Sequence, residues 1–111
     1  MDVVSLYSTW PDQKSAAAAG EALVAERLAA CVNILPGAVS IYRWEGRVQR
    51  EAEVVMLIKT SAAKAAAARD AVLRRHPYGT PCLLHLHIMP ENSAPAFLDW
   101  VAAETTDATT L

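Results

Sequence analysis

The sequence predicts an α+β domain of the split β-α-β, or ferredoxin-like, type: an antiparallel sheet laid down in the order β-α-β-β-α-β, followed by a C-terminal helix. Three observations predict it. Short runs rich in β-branched residues alternate with two alanine-rich stretches, Ala16 to Ala19 and Ala65 to Ala68, whose composition favours helix. Two strand-like runs in the middle of the chain are separated only by Glu45-Gly46, so they form one long hairpin. Proline and glycine mark the boundaries at Pro11, Pro36-Gly37, Pro77 and Pro90.

Val3 to Thr9 is short and mostly apolar, and it stops at Trp10-Pro11-Asp12, which suits a buried first strand and a turn. Asp12 is placed to cap a helix running to about Leu28. Its apolar stripe (Ala16, Ala17, Gly20, Leu23, Val24, Leu28) recurs at helical spacing, and the small residues in it allow a close approach to the sheet. Cys31 to Leu35 reads as the second strand. It is interrupted at Pro36-Gly37, because proline cannot donate to a ladder, and resumes from Val39 to Trp44. The returning strand spans about Val48 to Thr60. Its first half is polar (Gln49, Arg50, Glu51, Glu53), whereas Val54 to Ile58 is continuously apolar. The stem of the hairpin is therefore expected to be buried on both faces, with the tip reaching solvent or a neighbour.

Ser61 is expected to cap a second helix that runs to about Arg75. A stiff loop, His76 to Pro81, leads to a fourth strand from Cys82 to Met89, which Pro90 ends. Asn92 or Ser93 then caps a final helix from about Pro95 to Glu104, with Phe97, Leu98, Val101 and Ala102 on one side. The polar tail from Thr105 to Leu111 is expected to fray.

With 111 residues and no linker or repeat, residues 1–111 are read as a single domain. A net charge of −2 argues against a nucleic-acid partner or an acidic membrane surface, which select basic faces. No apolar run approaches the roughly 20 residues a membrane span needs, and no basic segment opens the chain as in a secretory signal. Cys31 and Cys82 are accordingly expected to be free thiols in a reducing cytoplasm. Helices on one side of the sheet would leave the other side uncovered. Apolar positions there, near Val55 and Leu57, mark an oligomer interface.

The chemistry-bearing residues are few. There is no phosphate loop, nucleophile elbow, Cys-x-x-Cys or His-Glu-x-x-His, so no enzymatic activity is expected. A catalytic pair of His76 with Cys31 or Cys82 is the minor alternative, since a cysteine opening an apolar strand is usually a small core residue. His85 and His87 lie two apart on a strand and so share a face. They would either chelate one metal ion or sit at a partly buried interface. Cys82, at an odd offset from both, faces the other way. His76 ends a helix, where the dipole favours a charged ring. Tyr42 and Trp44 read as interface packing.

Glu26-Arg27-Leu28-Ala29-Ala30-Cys31-Val32-Asn33-Ile34-Leu35-Pro36-Gly37 closely resembles the signature of the CutA family of divalent-cation tolerance proteins. Ser40 to Gly46, Ile58-Lys59-Thr60, His76-Pro77-Tyr78 and Phe97-Leu98-Asp99-Trp100 resemble the family's later blocks, in order along nearly the whole chain. The resemblance implies a cytoplasmic homotrimer whose long strands pair between subunits. It also implies a role in divalent-metal tolerance with copper binding, and no organic cofactor. The architecture is similar to the trimeric PII signalling proteins, which makes a small-molecule or partner-protein sensor the alternative. The resemblance places Cys31, Trp44, Glu45, Lys59, His76 and Tyr78 along a cleft between subunits. Copper binding in the family is linked to a cysteine ending the first strand and a His-His pair before Pro-Tyr. This chain carries Ser8 and Arg75-His76 there, so only His76 matches. The fourth strand opens with Pro81-Cys82 in place of Pro-Glu, and a later family proline is His87. The expected metal donors are therefore His76 with Cys82 or His85, holding copper or another divalent ion weakly.

Overall fold

A computed structural model describes residues 2–107. The elements are β1 (Val3–Trp10), α1 (Gln13–Ala25), β2 (Cys31–Trp44), β3 (Arg47–Ser61), a 3-10 turn (Ala62–Lys64), α2 (Ala65–Arg75), β4 (Leu83–His87) and α3 (Pro95–Glu104). The sheet has the order β2-β3-β1-β4 and is antiparallel throughout, the arrangement the sequence predicts. β1 is central and buried along almost its whole length.

One face of the sheet carries the core. Leu6, Trp10, Val54, Met56 and Ile58 point towards Ala16, Ala19 and Leu23 of α1 and Ala68, Ala71 and Val72 of α2. The small side chains of α1 let it sit low on the sheet. A Cβ at Gly20 would lie 2.8 Å from Val32 Cγ2 and 3.2 Å from Met56 Sδ, so this glycine is required by proximity. Asp12 caps α1 as expected, accepting from the Ser15 N–H at 2.7 Å, and that bond holds its carboxyl below the usual range.

Several boundaries differ from the sequence reading, each for a local reason. α1 ends at Ala25 rather than near Leu28, because Arg27 adopts a left-handed φ of 59°. The Leu28 N–H then bonds Leu23 O and the Arg27 N–H bonds Val24 O, a Schellman termination with arginine where glycine is usual. Arg27 Nη1 in turn donates to Glu104 O and so ties this corner to the end of α3. Ser61 makes no side-chain cap, and the helix instead starts with the 3-10 turn. Neither Asn92 nor Ser93 caps α3. Ala94 holds that position, with Pro95 following it. β4 covers only Leu83–His87, which leaves Cys82 and Met89 outside the ladder. The tail does not begin to fray at Thr105: that residue is buried, and its Oγ1 donates to Val101 O at 2.9 Å. Residues 108–111 lie outside the described residues.

The long hairpin forms as expected. A bulge lies between Leu35 and Ala38, with Gly37 at φ 86°. Trp44 pairs with Arg47 across a two-residue loop in which Glu45 and Gly46 both have positive φ (51° and 78°), as a type I′ turn demands. The stem, however, is buried on one face only. Val54, Met56, Ile58 and Thr60 are buried beneath the helices, whereas Val55, Leu57 and Lys59 on the opposite face are half-exposed.

Candidate functional site

His76 caps the C-terminal end of α2, and its backbone turns there into extended conformation, so its ring points back over the end of β1. The ring is buried and stacks on Trp10, with centroids 4.2 Å apart. Its Nε2 lies 2.7 Å from Thr9 O, and its Nδ1 lies 3.2 Å from the Tyr78 backbone N. A carbonyl can only accept and an N–H can only donate. The partners therefore assign the proton to Nε2 and the lone pair to Nδ1, which is the neutral ring. The charged ring suggested by the helix dipole does not fit these contacts. Both nitrogens are occupied, and a metal ion could reach one only by displacing a backbone partner.

The same cluster extends in both directions. On one side, Trp10 Nε1 donates to Ser8 Oγ at 2.8 Å, and Ser8 Oγ donates to Met56 O at 3.0 Å. Ser8, which stands where the resemblance places a copper-binding cysteine, is thus a fully buried hydrogen-bond relay. On the other side, the Tyr78 ring lies 4.9 Å from His76, and its hydroxyl donates to Glu53 Oε2 at 3.2 Å. Burial, then the negative charges of Glu53 and Glu51, push the Tyr78 phenol up to about 12. The loop after α2 is in this way fastened to the base of the hairpin. Glu53 was not singled out in the sequence, because only the strand register shows that it leaves the polar arm and turns in under Tyr78.

The three expected metal donors do not converge within one chain. Among the described residues, no group of three or more His, Cys, Asp or Glu side chains is arranged to hold a metal ion. Cys82 is exposed ahead of β4. His85 and His87 are exposed on β4 itself, opposite Leu6 and Val4 of β1.

The expected cleft residues fall in three places along the hairpin. Cys31 pairs in register with Lys59, and Lys59 Nζ donates to Asn33 Oδ1 on the face away from the helices. Tyr78 lies at the hairpin base on Glu53. Trp44 and Glu45 sit at the hairpin tip, about 40 Å along the strand from Lys59 at 3.3 Å per residue. On that same open face, neighbouring rows place Leu86 beside Ser5 and Lys59, Leu84 beside Tyr7 and Leu57, and Leu35 beside Val55. Leu35, Leu84 and Leu86 are 46%, 55% and 42% exposed, so the patch is apolar and uncovered. Along the arm, Val39, Ile41 and Val48 share a face and are all exposed.

The CutA1 divalent ion tolerance protein model matches residues 4–104. A Thermus thermophilus relative named divalent-cation tolerance protein CutA is 41% identical over 97 residues, which cover 87% of this chain and 92% of its own. The crystal structure of CutA from Xylella fastidiosa superposes with a TM-score of 0.89 at 40% identity, covering 96% of this chain and all of that one (100%). CutA1 from Oryza sativa superposes with a TM-score of 0.90 at 32% identity, covering 97% of each chain. By sequence over nearly its full length and by fold, this chain belongs to the CutA1 divalent ion tolerance family.

Proposed function

We propose that the protein acts as a cytoplasmic homotrimer in the tolerance of, or response to, divalent metal ions such as copper, binding them weakly and catalysing no reaction. The observation that carries the assembly is the uncovered apolar face of the sheet. Leu35, Val55, Leu57, Tyr7, Leu84 and Leu86 form a surface that a lone chain would leave in water. In this reading the β2 edge of one copy meets the β4 edge of the next, a head-to-tail contact that repeats around a ring. The resemblance sets its size at three. Trp44 and Glu45 lie about 40 Å along the strand from Cys31 and Lys59, so in this reading a neighbour's hairpin tip completes the cleft.

Family membership supports the metal half of the reading, as does the presence of exposed soft and borderline donors, Cys82 and His85. In this reading His76 holds the loop after α2 against the sheet. Light scattering and copper calorimetry on the reduced, chelator-treated protein test both halves. Three times the chain mass and a saturable copper isotherm are expected. Deleting the hairpin tip around Glu45-Gly46 should lower the mass to that of one chain. A tip-deleted variant that still weighs three chains would refute the role given to the hairpin.

A further inference from the structure

We propose that Arg47 at the hairpin tip of one copy forms an ion pair with Glu53 at the hairpin base of the next, so that charge seats each arm against its neighbour's Tyr78 loop. The inference deepens the assembly half of the reading above and rests on it. Its ground is the condition of Glu53. This residue is only 8% exposed, and the one hydrogen bond to its carboxylate comes from the Tyr78 hydroxyl to Oε2. Among the described residues no Lys, Arg or His pairs with it, and Oε1 has no donor. A carboxylate taken out of water without a cation is costly, whereas one that faces a guanidinium is held by charge-assisted bonds. Glu51 lies two residues away on the same face, and its charge adds to that of Glu53 at the Tyr78 hydroxyl.

The strand register selects the cation. Arg47, Gln49, Glu51 and Glu53 alternate along β3 and share one face, which runs from a cation at the tip to two carboxylates at the base. Arg43 and Arg50 lie on the other face, opposite Val48 and Ile41, and Arg43 Nη1 already donates to Gly46 O at 3.4 Å. Arg47 is exposed, and among the described residues no hydrogen bond or ion pair engages its guanidinium. It stands about 20 Å along the strand from Glu53, so the two ends of this face complement each other between copies rather than within one. Two different patches meet in such a contact, which makes it head-to-tail and repeatable around a ring. It is also compatible with the edge contact. β1 pairs with β3 only as far as Val54, so the arm projects beyond the sheet. β4 has five residues and β2 fourteen, so a neighbour's β4 occupies part of β2 and leaves the tip free to reach another copy. Trp44, exposed and paired with Arg47, arrives beside the guanidinium and shields it from water. Glu53 then joins three things at once: the Tyr78 loop, its own arm and the neighbour.

Covalent capture tests the contact directly. Cys31→Ser and Cys82→Ser remove both free thiols, and Arg47→Cys and Glu53→Cys are then introduced together in the full-length chain. Thiols about 20 Å apart in one chain cannot join, so a disulfide formed with diamide must link copies. Non-reducing electrophoresis should show linked species of up to three chains, and each single-cysteine variant should remain one chain. A single-cysteine variant that links to itself, tip to tip or base to base, refutes the pairing. Glu53→Gln gives an independent readout, because glutamine keeps an acceptor for Tyr78 and removes only the charge. An unpaired buried carboxylate would make this change raise Tm. An ion pair with Arg47 of a neighbour makes it lower Tm, makes Arg47→Gln do the same, and makes the double variant no worse than either single one. A rise in Tm for Glu53→Gln, or additive losses, overturns the proposal. Light scattering separates the proposal from the assembly reading. A three-chain mass with no disulfide between copies refutes the Arg47–Glu53 contact and leaves the assembly standing, and a one-chain mass for the unmodified protein refutes both.

Discussion

Gly20→Ala isolates what holds α1 against the sheet. In an exposed helix interior this change stabilises by about 1 kcal/mol, because alanine loses less backbone entropy. Here the added Cβ would sit 2.8 Å from Val32 Cγ2 and 3.2 Å from Met56 Sδ. Carbon atoms pack best at about 3.5 to 4.0 Å, so the overlap with Val32 is at least roughly 0.7 Å. The methionine can swing away. The valine cannot, because its branched Cβ is stiff about χ1 and its backbone is laddered to Ile58. Overpacking of this kind costs about 1 to 3 kcal/mol, which exceeds the propensity gain. The net expectation is a loss of about 1 kcal/mol, or a drop of about 4 °C in Tm for a chain of this size. The sign should reverse in a Val32→Ala background, where the methyl is gone and the propensity gain is unopposed. A double-mutant cycle by thermal denaturation, at one fixed protein concentration because association also raises Tm, reads this coupling directly. If Gly20→Ala raises Tm in the unmodified background, α1 is not pressed against Val32 and the packing argument fails.

Two further changes test the hairpin and its base. Glu45 holds a left-handed φ of 51°, which strains a residue with a Cβ and suits asparagine, so Glu45→Asn should stabilise by up to about 1 kcal/mol. A fall in Tm would show instead that the carboxylate makes a contact with a neighbouring copy. The Tyr78 phenol should titrate near 12 by phenolate absorbance, and Glu53→Gln should move it back towards 10.0. Its folded value lies above the unfolded one, so the folded chain keeps a proton that the unfolded chain releases between about 10 and about 12. The stability tied to Tyr78 is thus full below that window and lost as pH rises through it. An unshifted titration in Glu53→Gln would show that burial alone raises the phenol.

The elements legible in the sequence were those whose signal is local. Asp12 caps α1 through a side chain three residues from its donor, and Glu45-Gly46 turns the hairpin through its own φ angles. Where a boundary depended on a distant contact, local rules misplaced it. Helical periodicity runs on through Leu28, yet the helix stops at Ala25, about one turn early, because Arg27 ends it in a Schellman motif and reaches across to Glu104. Ser61 looks like a cap, but it is buried at the end of β3, and the chain starts α2 without it. The histidines show the same division in chemical terms. Their spacing alone places His85 and His87 on one face, and the register confirms that placement. What His76 does depends on Thr9, Trp10 and Tyr78, of which two come from the far end of the chain. A motif match made His76 the leading metal donor. Two occupied nitrogens make it a structural pin instead, and the open imidazoles lie on the strand next to the one it is pinned to. A residue can therefore keep its family position while its lone pairs are committed elsewhere, and in such a case the donor with free coordination, rather than the donor with the matching neighbours, is the one to test first.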